Sequence, residues 1–231
     1  MTVQPPPHAG AAPLADPFGP GPRPQLVGVL GGIASGKTRA AAELAGPGGV
    51  VIQADEIAQQ VLASAELAPL LRAHFGAAAI GADGAPDRAA IAARAFADPA
   101  LRRMLEGWIH PRVRATIAAR LRDAQADRRP RVVLDVPLLL ENDLEHGLAR
   151  LCDRLVYVES DLAERERRAA AARGWAIGEV ARREAAQLPQ AEKRARADAI
   201  IDNRGALDSF LAACARVRAG LDRPAPPGAE R

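Results

Sequence analysis

Short runs of apolar residues alternate along the chain with longer stretches in which apolar residues recur at helical spacing. Five apolar runs have the length of buried strands, at 26–30, 50–52, 131–135, 154–158 and 199–201. Helical patterns occupy about 55–75, 88–96, 99–126, 161–173, 176–188 and 205–220. Strands that alternate with helices predict βαβ units. The pattern therefore predicts an α/β fold with a parallel five-stranded sheet flanked by helices.

Two gaps between the predicted strands are longer than one crossover helix requires. In the first gap we expect a mostly helical insertion, over residues 65–126. The second gap is rich in arginine, and we expect it to form a lid over residues 161–196. The remaining segments would form the core of a single domain that spans residues 25–221; they are 25–64, 127–160 and 197–221.

The two ends of the chain differ in composition from its middle. Residues 1–24 contain eight of the 19 prolines and little that could join a core. Residues 222–231 repeat this character. Both segments are therefore predicted to be disordered, as an N-terminal extension and a C-terminal tail.

Charge and aromatic content argue against a nucleic-acid partner. The net charge is +3, the 29 arginines are spread among acidic residues, and aromatic residues make up 3% of the chain. Few aromatic side chains are thus available to stack on bases. The basic residues are better explained by solvated helix faces and a small anionic substrate.

The sequence also gives expectations for cellular location and assembly. No apolar run is long enough to span a bilayer, and no signal pattern begins the chain. We therefore expect a cytoplasmic protein without a membrane partner, as a monomer or weak oligomer. Cys152 and Cys214 lie among apolar residues and are expected to be core thiols.

Candidate chemistry begins between the first strand and the first helix. Residues Gly31–Thr38, here called the phosphate loop, fit the pattern G-x-x-x-x-G-K-[ST]. In this arrangement backbone N–H groups and the helix N-terminus bind phosphate. Lys37, one of two lysines in the chain, is predicted to reach the β- and γ-phosphates of ATP, and the Thr38 hydroxyl to ligate Mg²⁺. The competing interpretation is a glycine-rich turn with a surface lysine. The residues predicted to bind the nucleotide here are Gly32, Ile33, Ala34, Ser35, Gly36, Lys37, Thr38 and Arg39.

Two aspartates follow predicted strands at the sheet edge where open α/β sheets bind ligands. Asp135 ends the third strand, where a carboxylate usually helps to hold Mg²⁺; the alternative is a loop cap. Asp55 follows the second strand. From its spacing alone, Asp55 could equally well be a general base or the N-cap of the next helix.

Several short strings, in this order, resemble the dephospho-CoA kinase family over roughly residues 26–212. They are the phosphate loop, 51–58, 84–88, 96–99, 105–106, 109–111, 135–142, Gln187, 197–203 and Gly205. The resemblance implies a P-loop NTPase fold similar to the nucleoside monophosphate kinases. It also implies transfer of the γ-phosphoryl group of ATP to the ribose 3′-hydroxyl of dephospho-CoA, the last step of coenzyme A biosynthesis.

The resemblance also implies that the insertion over 65–126 binds the acceptor substrate, and it implies roles for individual residues. Asp55 would be catalytic together with Lys37, and Arg168 and Asn203 would contact ATP. The residues implied to bind the acceptor substrate are Asp55, Arg88, His110, Pro137, Leu138 and Arg173.

Structural alternatives stay open for several of these residues. Arg88 could form an ion pair with Asp87 or Asp83, and His110 could be a structural hydrogen-bonding residue. Asn203 could serve as a turn residue. The four lid arginines could instead pair with Glu164 and Glu166 on a solvated helix, although we expect at least one to contact phosphate; they are Arg165, Arg167, Arg168 and Arg173.

Two positions depart from the family's usual pattern. Ala34 stands where the family's loop usually has glycine, which could adjust the loop near the phosphates. Gln53 stands where the family usually has an aspartate.

Two other functions remain as alternatives. A nucleoside or nucleoside-monophosphate kinase would share the fold, although the long insertion favours a bulkier acceptor. A nucleotide-binding regulatory protein of the GTP-switch kind would need an Asn-Lys-x-Asp sequence to read guanine, and the chain has none.

Overall fold

The computed structural model describes residues 13–222, except for the side chains of Leu144 and Glu145. These residues form two compact units. One unit consists of residues 54–119, and the other of residues 13–53 and 120–222. Among the helices of residues 13–222, none is both long enough and apolar enough to cross a membrane.

Five parallel strands form the sheet of the larger unit, 13–53 with 120–222. They are β1 (Gln25–Gly31), β2 (Val50–Gln53), β3 (Arg131–Asp135), β4 (Arg154–Glu159) and β5 (Ala199–Asp202). Their order across the sheet is β2-β3-β1-β4-β5. Every neighbouring pair is parallel, so all carboxyl ends lie along one edge. The predicted parallel five-stranded sheet is confirmed.

Within residues 13–222, ten α-helices connect and extend these strands. In chain order they are α1 (Lys37–Ala45), α2 (Ala54–Leu62), α3 (Leu67–Phe75), α4 (Arg88–Ala97), α5 (Pro99–Ala126), α6 (Asp143–His146), α7 (Leu162–Arg173), α8 (Glu179–Glu184), α9 (Gln190–Ala195) and α10 (Leu207–Leu221). A short 3-10 helix follows α3 at Ala77–Ala79.

Two segments predicted as single continuous helices differ from the structure. The segment 55–75 divides into α2 and α3, because turns interrupt it at Ser64. There the Ser64 N–H donates to the Val61 carbonyl, and the Ser64 carbonyl accepts from the Leu67 N–H. The segment 176–188 contains α8, and α9 begins only after Pro189. Proline supplies no backbone N–H and fixes its own φ, so it suits a helix start better than a helix interior.

One apolar core cluster of the larger unit lies between the sheet and two helices. Val27, Val133 and Val156 come from the three central strands and are fully buried. Against them pack Leu44 of α1 and Phe210 of α10. Burial of these apolar side chains is the main stabilisation of the sheet that carries the phosphate loop.

The smaller unit, residues 54–119, has a core of its own. Leu67, Leu71 and Phe75 of α3 pack with Ile91 of α4 and Trp108 of α5. The Asp87 carboxylate caps α4 by accepting a 3.0 Å hydrogen bond from the Ala90 N–H. Helices within the predicted insertion 65–126 thus share an apolar cluster, and the insertion as a substrate-binding part stays a prediction.

Residues 13–24 lack regular structure and contact other parts of the larger unit, and the disorder of the extension stays a prediction. Arg23 forms a 2.6 Å ion pair with Asp153, and the Gly19 N–H donates to the Gln125 side chain at 2.9 Å. Asp222, predicted to begin the tail, accepts a hydrogen bond from the buried Arg131. The predicted disorder of 1–12 and 223–231 concerns residues outside the described ones.

Candidate active site

The shape of the phosphate loop depends on its glycines. Gly31 and Gly36 have φ values of 146° and 95°, in the region that side chains other than glycine rarely adopt. A Cβ on Gly31 would lie 2.7 Å from Ser35 Oγ, and one on Gly36 would lie 2.6 Å from Asn203 Nδ2. The loop therefore keeps its backbone close to its surroundings, and α1 begins directly after it.

Ala34 occupies a strained conformation within the same loop. Its φ is 59°, in the left-handed region. For a residue with a Cβ this conformation costs about 1–2 kcal/mol. An alanine in this conformation therefore lowers the stability of the loop relative to glycine.

Lys37 folds back over the loop that it follows. Its Nζ donates hydrogen bonds to the Gly32 carbonyl at 2.7 Å and to the Gly31 carbonyl at 3.1 Å. Burial lowers the pKa of Lys37 to about 8, while the neighbouring Asp135 carboxylate acts in the opposite direction. The amine is therefore placed beside the loop amides, where a bound phosphate would stabilise its charged form.

Thr38 and Asp135 meet at the carboxyl edge of the sheet. Thr38 Oγ1 donates a 2.6 Å hydrogen bond to Asp135 Oδ2. A hydroxyl and a carboxylate are hard oxygen donors of the kind that Mg²⁺ prefers, and Mg²⁺ usually takes its other ligands from phosphates and water. Among the described side chains, no three His, Cys, Asp or Glu residues form a cluster that could hold a metal. The pair fits a metal held jointly with a nucleotide rather than one enclosed by protein.

Gln53 is the residue of β2 paired with Asp135 in the sheet register. The family's usual aspartate at this position would bring a second carboxylate to the same point of the strand edge. The chain has an uncharged amide there instead, so the edge at Asp135 carries less negative charge.

Asn203 fastens the phosphate loop to the end of β5. Its Nδ2 donates a 2.7 Å hydrogen bond to the Ser35 carbonyl, and its backbone N–H donates to the Glu159 carbonyl at 2.8 Å. The side chain is buried. Asn203 thus has a structural contact with the loop itself; a contact with ATP remains a prediction.

Three of the lid arginines have partners that belong to the lid. Arg167 and Arg168 both bind the Glu164 carboxylate, and the hydrogen bond from Arg167 is the main cause that lowers the pKa of Glu164 to about 2. Arg173 lies over the ring of Trp175 at 4.8 Å. For Arg167 and Arg168 the structure shows the helical pairing that the sequence left open.

Arg165 differs from the other three, because it is buried against the phosphate loop. Its guanidinium binds the Glu184 carboxylate at 2.5 Å and the Ile33 carbonyl at 3.4 Å. The same carboxylate accepts a 2.6 Å hydrogen bond from the Ile33 N–H. Sequence reasoning named Arg165 as one of four candidates and missed Glu184, since no motif marks a glutamate 151 positions from its partner.

A second buried pair was also missed. Lys193, the other lysine of the chain, is 4% exposed and binds Glu141 at 2.7 Å and Gln187 at 2.9 Å. Glu141 also accepts a hydrogen bond from the Leu188 N–H at 3.2 Å. The pair joins the segment after β3 to the lid. The scarcity of lysine was the one signal that could have drawn attention to it.

Two residues predicted to bind the acceptor follow β3. Pro137 and Leu138 are both exposed, and Leu138 has a φ of 54°. A large apolar residue that is both strained and exposed is uncommon away from functional sites. Arg39, predicted to bind the nucleotide, is exposed on α1 and bonds Glu43 at 3.3 Å.

The other acceptor candidates lie in the smaller unit. Asp55 is exposed in the first turn of α2, where a carboxylate interacts favourably with the helix dipole. Arg88 begins α4 and donates a 3.0 Å hydrogen bond to Gln59, and His110 is exposed on α5. Their roles toward a substrate remain predictions.

Comparison with known proteins identifies the family. The sequence model of the family described as dephospho-CoA kinase matches residues 25–209. The chain belongs to the dephospho-CoA kinase family. It is accordingly an enzyme, a kinase that uses a phosphate loop, and the predicted family is confirmed.

Individual relatives support this membership across most of the chain. The dephospho-CoA kinase of Symbiobacterium thermophilum is 40% identical over 185 residues, which are 80% of this chain and 76% of the relative. That of Leifsonia xyli subsp. xyli is 39% identical over 200 residues, or 85% of this chain and 98% of the relative. The alternatives of another acceptor kinase and of a regulatory protein are not favoured.

Two solved structures share the fold. A protein from Thermus thermophilus is 35% identical, with a TM-score of 0.69, and the match covers 87% of this chain and 100% of that one. The dephospho-CoA kinase from Campylobacter jejuni is 21% identical, with a TM-score of 0.63, and covers 85% of this chain. The second match supports the fold alone.

Proposed function

We propose that the protein transfers the γ-phosphoryl group of ATP to the ribose 3′-hydroxyl of dephospho-CoA. The observation that carries this proposal is the assembly of Lys37, Thr38 and Asp135 at the phosphate loop in a member of this family. Phosphoryl transfer asks a protein mainly to position its reactants and to neutralise charge, and these three side chains supply such groups.

The phosphate loop binds the polyphosphate of ATP. Backbone N–H groups of the loop and the first turn of α1 point their partial positive charge toward the anion. Lys37 exchanges its carbonyl partners for β- and γ-phosphate oxygens. Because phosphate is anionic, this exchange favours the protonated amine.

Thr38 and Asp135 would hold a Mg²⁺ ion together with the nucleotide. When bound, the ion would neutralise charge on the β- and γ-phosphates. The hydrogen bond from Thr38 to Asp135 keeps the Thr38 hydroxyl oriented. Gln53, the residue of β2 paired with Asp135, is uncharged, so Asp135 supplies the carboxylate of this pair.

Asp55 accepts the proton of the acceptor hydroxyl and orients that oxygen for attack. The support for this role is the match of residues 51–58 to the family pattern, in which the second acid of the usual pair is kept. Exposure of Asp55 at the start of α2 makes its carboxylate accessible to a substrate.

Several residues with exposed side chains are proposed to bind dephospho-CoA. Leu138 is the strongest of them, because its strained backbone holds an apolar side chain at the surface directly after β3. The others are Arg88, His110, Pro137 and Arg173.

An acceptor panel tests this function. Purified protein would be given ATP and Mg²⁺ with dephospho-CoA, AMP, UMP or CMP in separate reactions, and ADP release would be followed together with identification of the phosphorylated product. We expect fastest turnover with dephospho-CoA and a product phosphorylated at the ribose 3′ position. Faster ADP formation with a nucleoside monophosphate would overturn the assignment.

A further inference from the structure

The carboxylate of Glu184 lies where the phosphate loop presents its anion-binding groups. It accepts hydrogen bonds from the Ile33 N–H at 2.6 Å and from the Arg165 guanidinium at 2.5 Å. A backbone N–H of a phosphate loop and a guanidinium are the two kinds of donor that most often bind phosphate oxygens. One oxygen atom, Glu184 Oε1, accepts both of these hydrogen bonds.

The position of this carboxylate is tight against the loop backbone. A Cβ added to Gly32 would lie 2.6 Å from Glu184 Oε1. The Glu184 and Arg165 side chains are 11% and 7% exposed. A phosphate group could not take the Ile33 N–H without displacing the carboxylate, since both are anions that need the same donor.

We propose that Glu184 competes with the phosphate of the nucleotide for the Ile33 N–H and the Arg165 guanidinium, and that nucleotide binding transfers Arg165 from Glu184 to phosphate. The inference rests on the proposed binding of ATP at this loop. Glu184 then lowers the affinity of the protein for its nucleotide, and Arg165 is the lid arginine that responds to it.

The helix that carries Glu184 is suited to such a displacement. Glu184 is the last residue of α8, whose single buried residue is Val180. The connection from α7 to α8 begins and ends at Gly174 and Gly178, which have φ values of 66° and 91°. Glycines at both ends permit backbone changes that other residues resist.

Arg165 keeps other partners when Glu184 leaves. Its Nε donates to the Ser160 carbonyl at 3.2 Å, and its Nη1 lies 3.4 Å from the Ile33 carbonyl. The guanidinium therefore stays beside the loop, and negatively charged phosphate oxygens would take the place of the Glu184 carboxylate as its partner.

The test compares Glu184→Gln with Glu179→Gln. Glutamine has the shape of glutamate without its charge. Glu179 stands at the other end of α8 and binds Arg182 and Arg183. Affinities for ADP and for inorganic tripolyphosphate would be measured by calorimetry, with thermal melts to check folding.

We expect Glu184→Gln to bind both probes on the order of fivefold to tenfold more tightly, because a competing charge has been removed. Glu179→Gln should match the wild type. Unchanged or weaker binding by folded Glu184→Gln would overturn the inference. If the wild-type protein binds neither probe, the loop assignment itself fails, and this outcome is separate from the first.

A second measurement needs no variant and covers the case in which Glu184→Gln does not fold. Hydrogen exchange of the wild-type protein would be compared with and without ADP. We expect the amides of α8 to exchange faster and those of the phosphate loop to exchange more slowly when ADP is bound. Equal or slower exchange in α8 would contradict displacement of Glu184.

Discussion

Thr38 Oγ1 and Asp135 Oδ2 are joined by a 2.6 Å hydrogen bond that links the first turn of α1 to the end of β3. The bond brings the hydroxyl of the phosphate-loop motif to the carboxylate that ends the third strand. These two residues were predicted as metal ligands from separate parts of the sequence. Their contact gives the first prediction.

Replacement of Asp135 by asparagine should raise the Mg²⁺ concentration needed for half-maximal turnover by roughly tenfold or more, because a neutral amide is a poorer ligand for a hard cation. Initial rates over a MgCl₂ series would measure the change. Asp202→Asn, at the exposed end of β5, is the matched control and should follow the wild-type curve. A wild-type Mg²⁺ dependence in Asp135→Asn would remove Asp135 from the metal site.

Lys37→Ala should weaken ADP binding and lower turnover by on the order of a hundredfold or more, since the ammonium group that faces the β- and γ-phosphates is lost. Lys37→Arg keeps the charge with a different shape and should recover part of the binding. Equilibrium binding and steady-state rates would be measured on the same preparations. Unchanged affinity and rate in Lys37→Ala would contradict the role of the loop.

Asp55→Asn should retain nucleotide affinity and lose most of its turnover, by about a hundredfold to ten-thousandfold, as expected when a general base is removed. Glu56→Gln is the control, because Glu56 is the next acidic residue in the same helical turn and bonds Gln60. Single-turnover rates at saturating ATP would separate chemistry from binding. Normal rates in Asp55→Asn would leave this carboxylate only a structural role in α2.

Ala34→Gly should stabilise the protein by about 0.5–1 kcal/mol. The replacement relieves the left-handed strain at φ 59°, and the greater freedom of glycine in the unfolded chain offsets part of that gain. Urea unfolding would measure the difference. Ala41→Gly, at a buried position inside α1, should destabilise the protein and so provides the opposite sign. A loss of stability in Ala34→Gly would show that the Ala34 methyl group contributes packing.

Cys214 should resist thiol reagents in the folded protein. Burial raises the pKa of its thiol to about 11, so at pH 8 little of it is the reactive thiolate. Cys152 is also buried. The thiols would be titrated with a chromogenic disulfide. We expect slow labelling of the native protein. After denaturation we expect two reactive thiols in the wild type and one in Cys214→Ala. A rapid native burst that Cys214→Ala abolishes would contradict the burial.

The sheet and the phosphate loop could be predicted because their signals are local. Val27 and Val133 belong to short apolar runs, and Gly36 and Lys37 stand at fixed spacing in a motif whose geometry demands them. Helix ends were harder. The turns at Ser64 interrupt the helical pattern over 55–75, and α8 covers only Glu179–Glu184 of the pattern over 176–188. The backbone hydrogen bonds that set these ends are not visible in the periodicity.

The contacts around the lid were beyond sequence reasoning for another reason. Arg165 and Arg167 are two residues apart on α7, yet one is buried against Ile33 and the other is exposed beside Glu164. Which face of α7 meets the loop depends on tertiary packing. The partners Glu184 and Glu141 are ordinary glutamates in sequence, and only the fold brings them to Arg165 and Lys193.

The pairing of Lys193 with Glu141 affects how the protein reacts with acylating reagents, because it keeps one of the two lysines buried. Lys193 is 4% exposed and its ammonium is held by a carboxylate, and Lys37 is the other lysine of the sequence. With its pKa near 8, Lys37 is partly an uncharged nucleophile in mildly alkaline solution. Because Lys37 is half-buried and Lys193 is 4% exposed, reagents that modify primary amines should favour Lys37 over Lys193. A fluorophore or affinity tag attached in this way would be placed at the phosphate loop, without any engineered residue, and would remove the charge of Lys37.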